Sequence, residues 1–537
     1  MYDWKKLSIM ITIFLSLIPN IIQAQVNPAW VTRYDGPNNN EDRATAITLD
    51  NTGNVYVTGY SYNTASNSEY ATIKYDANGT PQWAARYNGP GNSVDKAEAI
   101  AVDNLGNVYV TGSSRRTTTV YTEDYATIKY NSAGQEQWVA RYNAPANTYN
   151  FARAIAVDGL SNVFVTGYSA ADYATIKYNS LGQVQWTARY NGTGNSMDEA
   201  NALVIDNSGN VYVTGASIGI NSSYDYATIK YNSDGVEQWV ARYNGPANTG
   251  DAAYAITLDN NGNVYVTGTS IGSGTSNDYT TIKYNSSGQE QWVARYNGPG
   301  NSMDYATDIA VDSLGNVYIT GYSAGSGTNF DYATIKYNSS GQEQWVTRYN
   351  GPGNHADYAV ALALDDSANV YVTGYSRSTS ASDSEDYTTI KYNTDGIEQW
   401  VIRYNGPDNN IDRASAIVVD NSYNIFVTGA SRGVGSSYDY ATIKYVQTET
   451  GVQEINNIQQ KTAKIEIYPN PARTYLNINL PYAAEYIKIF DITGKTVKEL
   501  RSSGRNDLRV SLEGIKNGIY FIQVDSEIVQ EKLVITK

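Results

Sequence analysis

The chain lacks much of the side-chain chemistry that enzymes use. It contains no cysteine, one histidine and four methionines among 537 residues. The lack of cysteine excludes disulfides, thiolate metal sites and cysteine nucleophiles. Basic residues are also few, because 38 Lys and Arg face 53 Asp and Glu, for a formal net charge of −15. Nucleic-acid binding depends on neutralising phosphates, so this balance argues against a nucleic-acid partner.

Tyrosine and glycine are abundant instead, at 49 and 45 residues. Tyrosine favours half-buried strands, and glycine favours the tight turns that join them. Hydrophobic residues make up 41% of the chain, which is enough for a folded core. The composition therefore favours an all-β protein.

The first residues are typical of a secretory signal. Lys5 and Lys6 precede an apolar run over 7–22, which is shorter than the ~20 residues that span a bilayer. We expect a signal peptide over 1–24, cleaved between Ala24 and Gln25, and no transmembrane segment in the mature chain. No cysteine follows the cleavage point, which excludes a lipoprotein anchor. An uncleaved membrane anchor is the alternative.

A repeat dominates the rest of the chain. The pattern W-x-x-R-Y occurs eight times, at spacings of 53, 55, 48, 53, 53, 53 and 55 residues. It begins at Trp30, Trp83, Trp138, Trp186, Trp239, Trp292, Trp345 and Trp400. Each unit holds four runs with strand alternation, joined in two places by tight turns of the types D-x-x-G-N and N-S-x-G. Four antiparallel strands per unit match a propeller blade.

The two ends of the array favour a closed ring over an open solenoid. A solenoid needs atypical capping units at both ends, whereas the first and last units here match the internal ones. The array begins with a W-strand and stops after a T-I-K-Y strand. The W-strand at Trp30 is therefore available as the outer strand of the last blade. We predict an eight-bladed β-propeller over 25–445, closed by its N-terminal strand.

The repeated motifs D-x-x-G-N-V-Y-V-T-G and D-Y-x-T-I-K-Y-N resemble the bacterial SBBP-type β-propeller repeat. The resemblance covers about Trp30 to Tyr445. It implies a propeller in an exported protein and implies no reaction.

A different pattern follows a polar linker over 446–464. Short strand-like runs over 465–537 predict a small Ig-like β-sandwich. Three motifs in this segment resemble the type IX secretion (type A) C-terminal sorting domain. They contain Tyr468, Pro469, Asn470, Pro471, Gly494, Lys495, Gly518 and Tyr520. The resemblance implies export across the outer membrane of Bacteroidetes-type bacteria, with the secretion machinery as partner and the protein attached to the surface or released. An ordinary Ig-like binding domain is the alternative.

One set of repeated acids offers a candidate site. An aspartate stands just before the first strand of seven units, and Asn150 replaces it in the third. The seven are Asp42, Asp95, Asp198, Asp251, Asp304, Asp357 and Asp412. In a closed ring they would surround one mouth of the central channel, where they could hold a cation or a hydroxyl-rich ligand. Alternatively, they close their loops by bonding to backbone.

Other polar residues recur in every unit, and we interpret the Arg of W-x-x-R-Y and the acid that precedes the tyrosine of D-Y-x-T as cross-strand charge pairs. The single His355 is interpreted as a surface variant, because it has no acid or nucleophile partner in sequence. Variable loops share the face opposite the tight turns, and such loops carry specificity. We therefore expect a non-catalytic secreted or cell-surface module that binds or adheres to a glycan or protein, with no cofactor. A structural surface-layer component and a polysaccharide-active enzyme are the alternatives.

Overall fold

The computed structural model describes residues 26–64, 67–117, 122–144, 149–379, 385–447, 466–479, 486–491, 495–501, 507–524 and 527–536. These residues form 39 β-strands and no helix. The chain divides into two compact units, one on each side of residue 450. The predicted cleavage residues Ala24 and Gln25 lie outside the described residues, and so does most of the predicted linker.

The first unit consists of four-stranded antiparallel sheets, the blades. The strand β1 (Val26–Tyr34) precedes blade 1, which has β2 (Asp42–Leu49), β3 (Val55–Thr64), β4 (Asn67–Tyr75) and β5 (Pro81–Tyr87). Blade 2 has β6 (Asp95–Val102), β7 (Val108–Arg115), β8 (Glu123–Tyr130) and β9 (Glu136–Tyr142). Blade 3 has β10 (Asn150–Val157), β11 (Val163–Ser169), β12 (Asp172–Tyr178) and β13 (Val184–Tyr190). Blade 4 has β14 (Asp198–Ile205), β15 (Val211–Ile218), β16 (Tyr224–Tyr231) and β17 (Glu237–Tyr243).

The second half repeats this order. Blade 5 has β18 (Asp251–Leu258), β19 (Val264–Ile271), β20 (Asn277–Tyr284) and β21 (Glu290–Tyr296). Blade 6 has β22 (Asp304–Val311), β23 (Val317–Ala324), β24 (Phe330–Tyr337) and β25 (Glu343–Tyr349). Blade 7 has β26 (Asp357–Leu364), β27 (Val370–Arg377), β28 (Glu385–Tyr392) and β29 (Glu398–Tyr404). Blade 8 has β30 (Asp412–Val419), β31 (Ile425–Arg432) and β32 (Tyr438–Gln447).

The fourth strand of blade 8 comes from the other end of the unit. β1 pairs antiparallel with β32, with Tyr34 opposite Tyr440, and the sheet order is β1-β32-β31-β30. A buried tyrosine hydroxyl also joins each blade to the next through a backbone carbonyl, from Tyr70 donating to Ala126 O onward. The same bond runs from blade 8 back to blade 1, where Tyr440 donates to Ala71 O at 3.1 Å. An open stack could not make this last contact.

The core lies between neighbouring blades. At the junction of blades 4 and 5, Tyr212 and Tyr226 of one blade pack against Val266 and Ile282 of the next, all essentially inaccessible to solvent. The alternating strand pattern places these residues on facing sheet surfaces. Each junction holds a comparable cluster, so the hydrophobic stabilisation is spread evenly around the ring.

The outer strand is fixed by its tryptophan. The indole N–H of Trp239 donates to Ser286 O, in the hairpin turn of the next blade, at 3.2 Å. The ring lies against Gly288 of that turn, where φ is +79° and an added Cβ would lie 2.6 Å from Trp239 Cδ2. Glycine is required there both for the left-handed backbone and for the close approach of the ring.

The second unit has two sheets, with orders β33-β34-β37 and β36-β35-β38-β39. Its strands are β33 (Glu466–Tyr468), β34 (Tyr475–Asn479), β35 (Tyr486–Asp491), β36 (Thr496–Arg501), β37 (Asp507–Ser511), β38 (Gly518–Val524) and β39 (Glu527–Ile535). Leu476 and Val510 of one sheet share a buried cluster with Ile489 and Ile522 of the other. The predicted fold class, a propeller of four-stranded blades followed by a small β domain, is confirmed.

Candidate functional site

The seven aspartates predicted at the channel mouth are buried rather than open to it. Each is the first residue of an inner strand, which we define as the first strand of a blade, and each is at most 1% exposed. Asp42 Oδ2 accepts the N–H of Gly36 at 2.6 Å, and the other six accept the N–H of the glycine six residues earlier at 2.6–2.8 Å. Burial raises the pKa of Asp42, Asp95 and Asp412 to about 6. These bonds are those of the loop-closing alternative, and a ligand-holding ring of carboxylates around the mouth stays a prediction.

The repeated arginine holds one blade to the previous one. Arg242 on the outer strand of blade 4 binds Asp225 at 2.7 Å and donates to the Ser217 hydroxyl and carbonyl at 2.6 and 2.8 Å. It also donates to the Tyr190 hydroxyl of blade 3 at 2.9 Å. The equivalent arginine pairs with an acid in every blade, so the predicted cross-strand charge pairs are confirmed. Their role is structural.

The residues that differ between blades lie at the second and fourth positions of the inner strands. The second positions hold Arg43, Lys96, Phe151, Glu199, Ala252, Tyr305, Tyr358 and Arg413. The fourth positions hold Thr45, Glu98, Arg153, Asn201, Tyr254, Thr307, Val360 and Ser415. Every inner strand has a register shift between its third and fifth residues. Such a bulge leaves the fourth residue unpaired and redirects its side chain.

These variable residues surround the central channel on the loop side. A cavity of about 390 Å³ is bounded by residues from blades 7, 8, 1 and 2, among them Tyr375, Arg413, Arg43 and Lys96. A second cavity of about 600 Å³ is bounded by residues from blades 3 to 6, among them Tyr254. The two cavities together include residues of all eight blades, and we call the second and fourth inner-strand positions and the side chains beside them the channel mouth.

Aromatic rings form a continuous arc along blades 6 and 7 of the channel mouth. The ring centroids of Tyr305 and Tyr322 are 5.1 Å apart, those of Tyr322 and Tyr358 are 5.0 Å apart, and those of Tyr358 and Tyr375 are 5.1 Å apart. Phe330 lies edge-on to Tyr322 at 5.2 Å. Side chains of all five are partly accessible to solvent. We call this set the tyrosine arc.

Cationic side chains continue the tyrosine arc around blades 8, 1 and 2. The guanidinium of Arg413 lies 5.2 Å from the Tyr375 ring, and Lys96 Nζ lies 4.5 Å from the Tyr60 ring. Arg413 also binds Glu385 at 2.6 Å. Burial raises the pKa of Glu98, and the positive charges of Arg153 and Lys96 oppose that rise.

The channel mouth therefore combines apolar ring faces with paired hydrogen-bond donors and acceptors. Concave sites of this kind, lined by aromatic faces with a few placed polar groups, are typical of small-molecule and ligand binding. The second and fourth positions are not among the site residues predicted from the sequence. The signal that could have found them is variation at two fixed positions of an otherwise constant strand. His355, half-buried in the loop before β26, lies outside this set.

The predicted motif residues of the C-terminal unit are mostly described. Tyr468 ends β33, Pro469 follows it, and Asn470 Oδ1 accepts the N–H of Val534 on the last strand at 2.9 Å. Pro471 lies just before Ala472, whose N–H donates to Val534 O at 2.7 Å.

In the same unit, Gly518 begins β38, and the buried Tyr520 donates to Lys516 O at 2.9 Å. Lys495 donates its N–H to Asp491, whereas Gly494 lies outside the described residues. The motif thus ties the start of this unit to its final strand.

Comparison with known families agrees with this architecture. Six segments match the SBBP β-propeller repeat, at residues 82–115, 137–174, 185–221, 238–274, 291–331 and 344–380. Residues 466–536 match the secretion system C-terminal sorting domain. The fold and the motifs define a secreted or cell-surface β-propeller protein. The chain belongs to the SBBP-repeat propeller proteins that carry a type IX sorting domain, and its partner in export is the type IX secretion machinery.

Solved structures add little to this assignment. A protein from Lactobacillus plantarum is 13% identical, with a TM-score of 0.42, and the match covers 67% of this chain and 96% of that one. A protein of unknown function from Dyadobacter fermentans is 9% identical, with a TM-score of 0.37 and coverage of 79% and 99%. No curated protein matches the chain in sequence. Across the described residues, no helix has the length and apolar character to cross a membrane.

Proposed function

We propose that the propeller is a non-catalytic binding module that holds a glycan at the channel mouth. The observation that carries this proposal is the tyrosine arc. Three tyrosine pairs with centroids 5.0–5.1 Å apart present partly exposed rings beside one another on blades 6 and 7. Aromatic faces suit the apolar faces of sugar rings, while neighbouring polar groups can bind their hydroxyls.

The polar residues of the channel mouth support the same ligand class. The Arg413–Glu385 pair and the Lys96 ammonium place donors and acceptors beside the aromatic faces. Glu385 pairs with both Arg413 and Arg377, at 2.6 and 3.5 Å, so positive charge exceeds negative charge in this group. A hydroxyl-rich ligand can hydrogen-bond to both members of such a pair, whereas an apolar ligand would displace their water without replacing its hydrogen bonds.

A glycan array with the purified protein tests the proposal, with Tyr358→Ala and Tyr423→Ala as variants. Tyr423 is a matched control, because it is 41% exposed at a turn on the opposite face. One aromatic ring contributes about 1–2 kcal/mol of binding free energy, so its removal corresponds to roughly tenfold weaker binding. We expect that loss for Tyr358→Ala and unchanged binding for Tyr423→Ala. Equal loss in both variants, or no glycan bound by the wild-type protein, would overturn the proposal and favour a structural surface component.

A further inference from the structure

Three carboxylates meet at the seam where β1 joins blade 8. Asp35 follows β1, Asp42 begins the inner strand of blade 1, and Asp439 lies on β32 of blade 8. One oxygen from each of the three lies within 4.8 Å of the others. The group therefore joins the first strand of the propeller, its first blade and its last blade.

Two of these carboxylates have a buried oxygen without a hydrogen-bond donor. Asp42 and Asp439 are 0% and 4% exposed, and the Oδ1 atom of each has no hydrogen-bond partner among the described residues. Their other oxygens are used, because Gly36 N–H donates to Asp42 Oδ2 at 2.6 Å and Arg33 donates to Asp439 Oδ2 at 2.8 Å. A buried carboxylate oxygen with no donor is costly, and bound cations are one of the partners that compensate it.

Charge points to the same partner. Three carboxylates and the one guanidinium of Arg33 leave two negative charges at the seam. Asp35 is exposed, so the cluster is open to ions from solvent. A divalent cation would neutralise the group.

The third carboxylate is found at this junction alone. All other W-x-x-R-Y motifs are followed by asparagine where β1 is followed by Asp35. These are Asn88, Asn143, Asn191, Asn244, Asn297, Asn350 and Asn405. The junction of blades 4 and 5 is a close match, because the Oδ1 atoms of Asp225 and Asp251 there also lack a partner in the part of the chain that is described. Asn244 stands at the position that Asp35 holds at the seam. The repeat thus supplies an internal comparison that differs by one side chain.

We propose that Asp35, Asp42 and Asp439 bind a calcium ion that fastens β1 to blades 8 and 1. Carboxylate oxygens are the ligands that calcium takes, and its flexible coordination accepts an irregular set of three completed by water. Magnesium is less suited, because it demands near-ideal octahedral geometry. We expect a dissociation constant of about 10⁻⁴ to 10⁻³ M, as in extracellular calcium modules. The inference does not depend on the proposed glycan site.

Calorimetric titration of the purified, chelator-treated protein with calcium chloride tests the proposal. We expect one site in the wild-type protein, none in Asp35→Asn and two in Asn244→Asp. Asp35→Asn only restores the residue that the other seven junctions carry, so it should fold, and a thermal melt without calcium checks this.

Three results would overturn the proposal. The first is that the wild-type protein shows no saturable binding at calcium concentrations up to about ten times the weakest expected dissociation constant. The second is undiminished binding by a folded Asp35→Asn variant. The third is an unchanged single site in Asn244→Asp, which would show that the third carboxylate does not create a site. Calcium should also raise the melting temperature of the wild-type protein and leave that of Asp35→Asn unchanged.

Discussion

The repeated arginine offers a sharp test of how the blades are held together. In blade 4, Arg242 pairs with Asp225 at 2.7 Å and also donates to Ser217 and Tyr190. We consider Arg242→Met, which keeps an unbranched side chain of similar length but removes every donor. The variant leaves Asp225, which is 4% exposed, without its counter-ion.

The expected cost follows from this burial. An exposed ion pair contributes about 0–1 kcal/mol, whereas breaking a buried pair costs about 3–5 kcal/mol because one charge stays buried and uncompensated. The side chains of Arg242 and Asp225 are 20% and 6% exposed, so hydration of the arginine lowers the value somewhat. We expect Arg242→Met to lower the free energy of unfolding by about 3 kcal/mol.

A second substitution separates the buried charge from the lost hydrogen bonds. Adding Asp225→Asn to Arg242→Met removes the uncompensated charge and should recover about half of the loss. Asp408→Asn is the control, because Asp408 pairs with Arg432 at 3.5 Å with side chains 34% and 45% exposed. It should change stability by less than about 0.5 kcal/mol.

Urea unfolding followed by tryptophan fluorescence measures all four proteins. If Arg242→Met costs no more than the Asp408→Asn control, the arginine network is an ordinary surface feature and the reasoning fails. If the double variant is less stable than Arg242→Met, the buried charge is not the source of the cost.

Three further predictions concern single positions. Trp345→Phe should destabilise the protein by about 1 kcal/mol more than Trp400→Phe in urea unfolding. The Trp345 indole donates to Thr394 O at 3.0 Å, whereas the buried Trp400 indole N–H has no partner among the residues that the structure describes; equal costs would contradict this. Gly288→Ala should cost about 1–3 kcal/mol and more than Gly274→Ala, since both have positive φ but only Gly288 lies against a tryptophan ring; equal melting temperatures would count against the ring contact. Burial raises the pKa of Asp308 from 3.8 to about 6, so its contribution to stability is present below pH 4 and is lost as pH rises through 6. Relative to Asp308→Ala, the wild-type protein should lose up to about 3 kcal/mol between pH 4 and pH 8, and a constant difference would refute the assignment.

The blade count and strand order could be predicted because they depend on spacing. Eight W-x-x-R-Y motifs and the strand at Trp30 without a blade of its own predicted the pairing of β1 with β32. The direction of side chains near the channel could not be predicted in this way. A bulge between the third and fifth residues of each inner strand alters the alternation, and no sequence motif marks it.

The aspartates show the same limit. Their position before the inner strand was predicted, but burial against a glycine N–H such as that of Gly36 depends on a loop that folds back over six residues. Conversely, the aromatic character of the channel mouth could have been predicted from the residues that differ between blades. Tyr305 and Tyr358 replace the charged or small residues of other blades at one strand position.

The pairing of β1 with β32 also sets an order of events during synthesis. The first strand to be made contacts a strand 406 residues later, so it must wait for nearly the whole propeller before it finds its partner. The entropic cost of closing such a long loop grows only slowly with loop length. The separation of the two strands therefore slows folding more than it lowers stability. During that interval β1 can pair with any T-I-K-Y strand of the same chain or of a neighbour, because all eight carry almost the same sequence. Growth of the chain, rather than the strand sequence, decides which blade it completes.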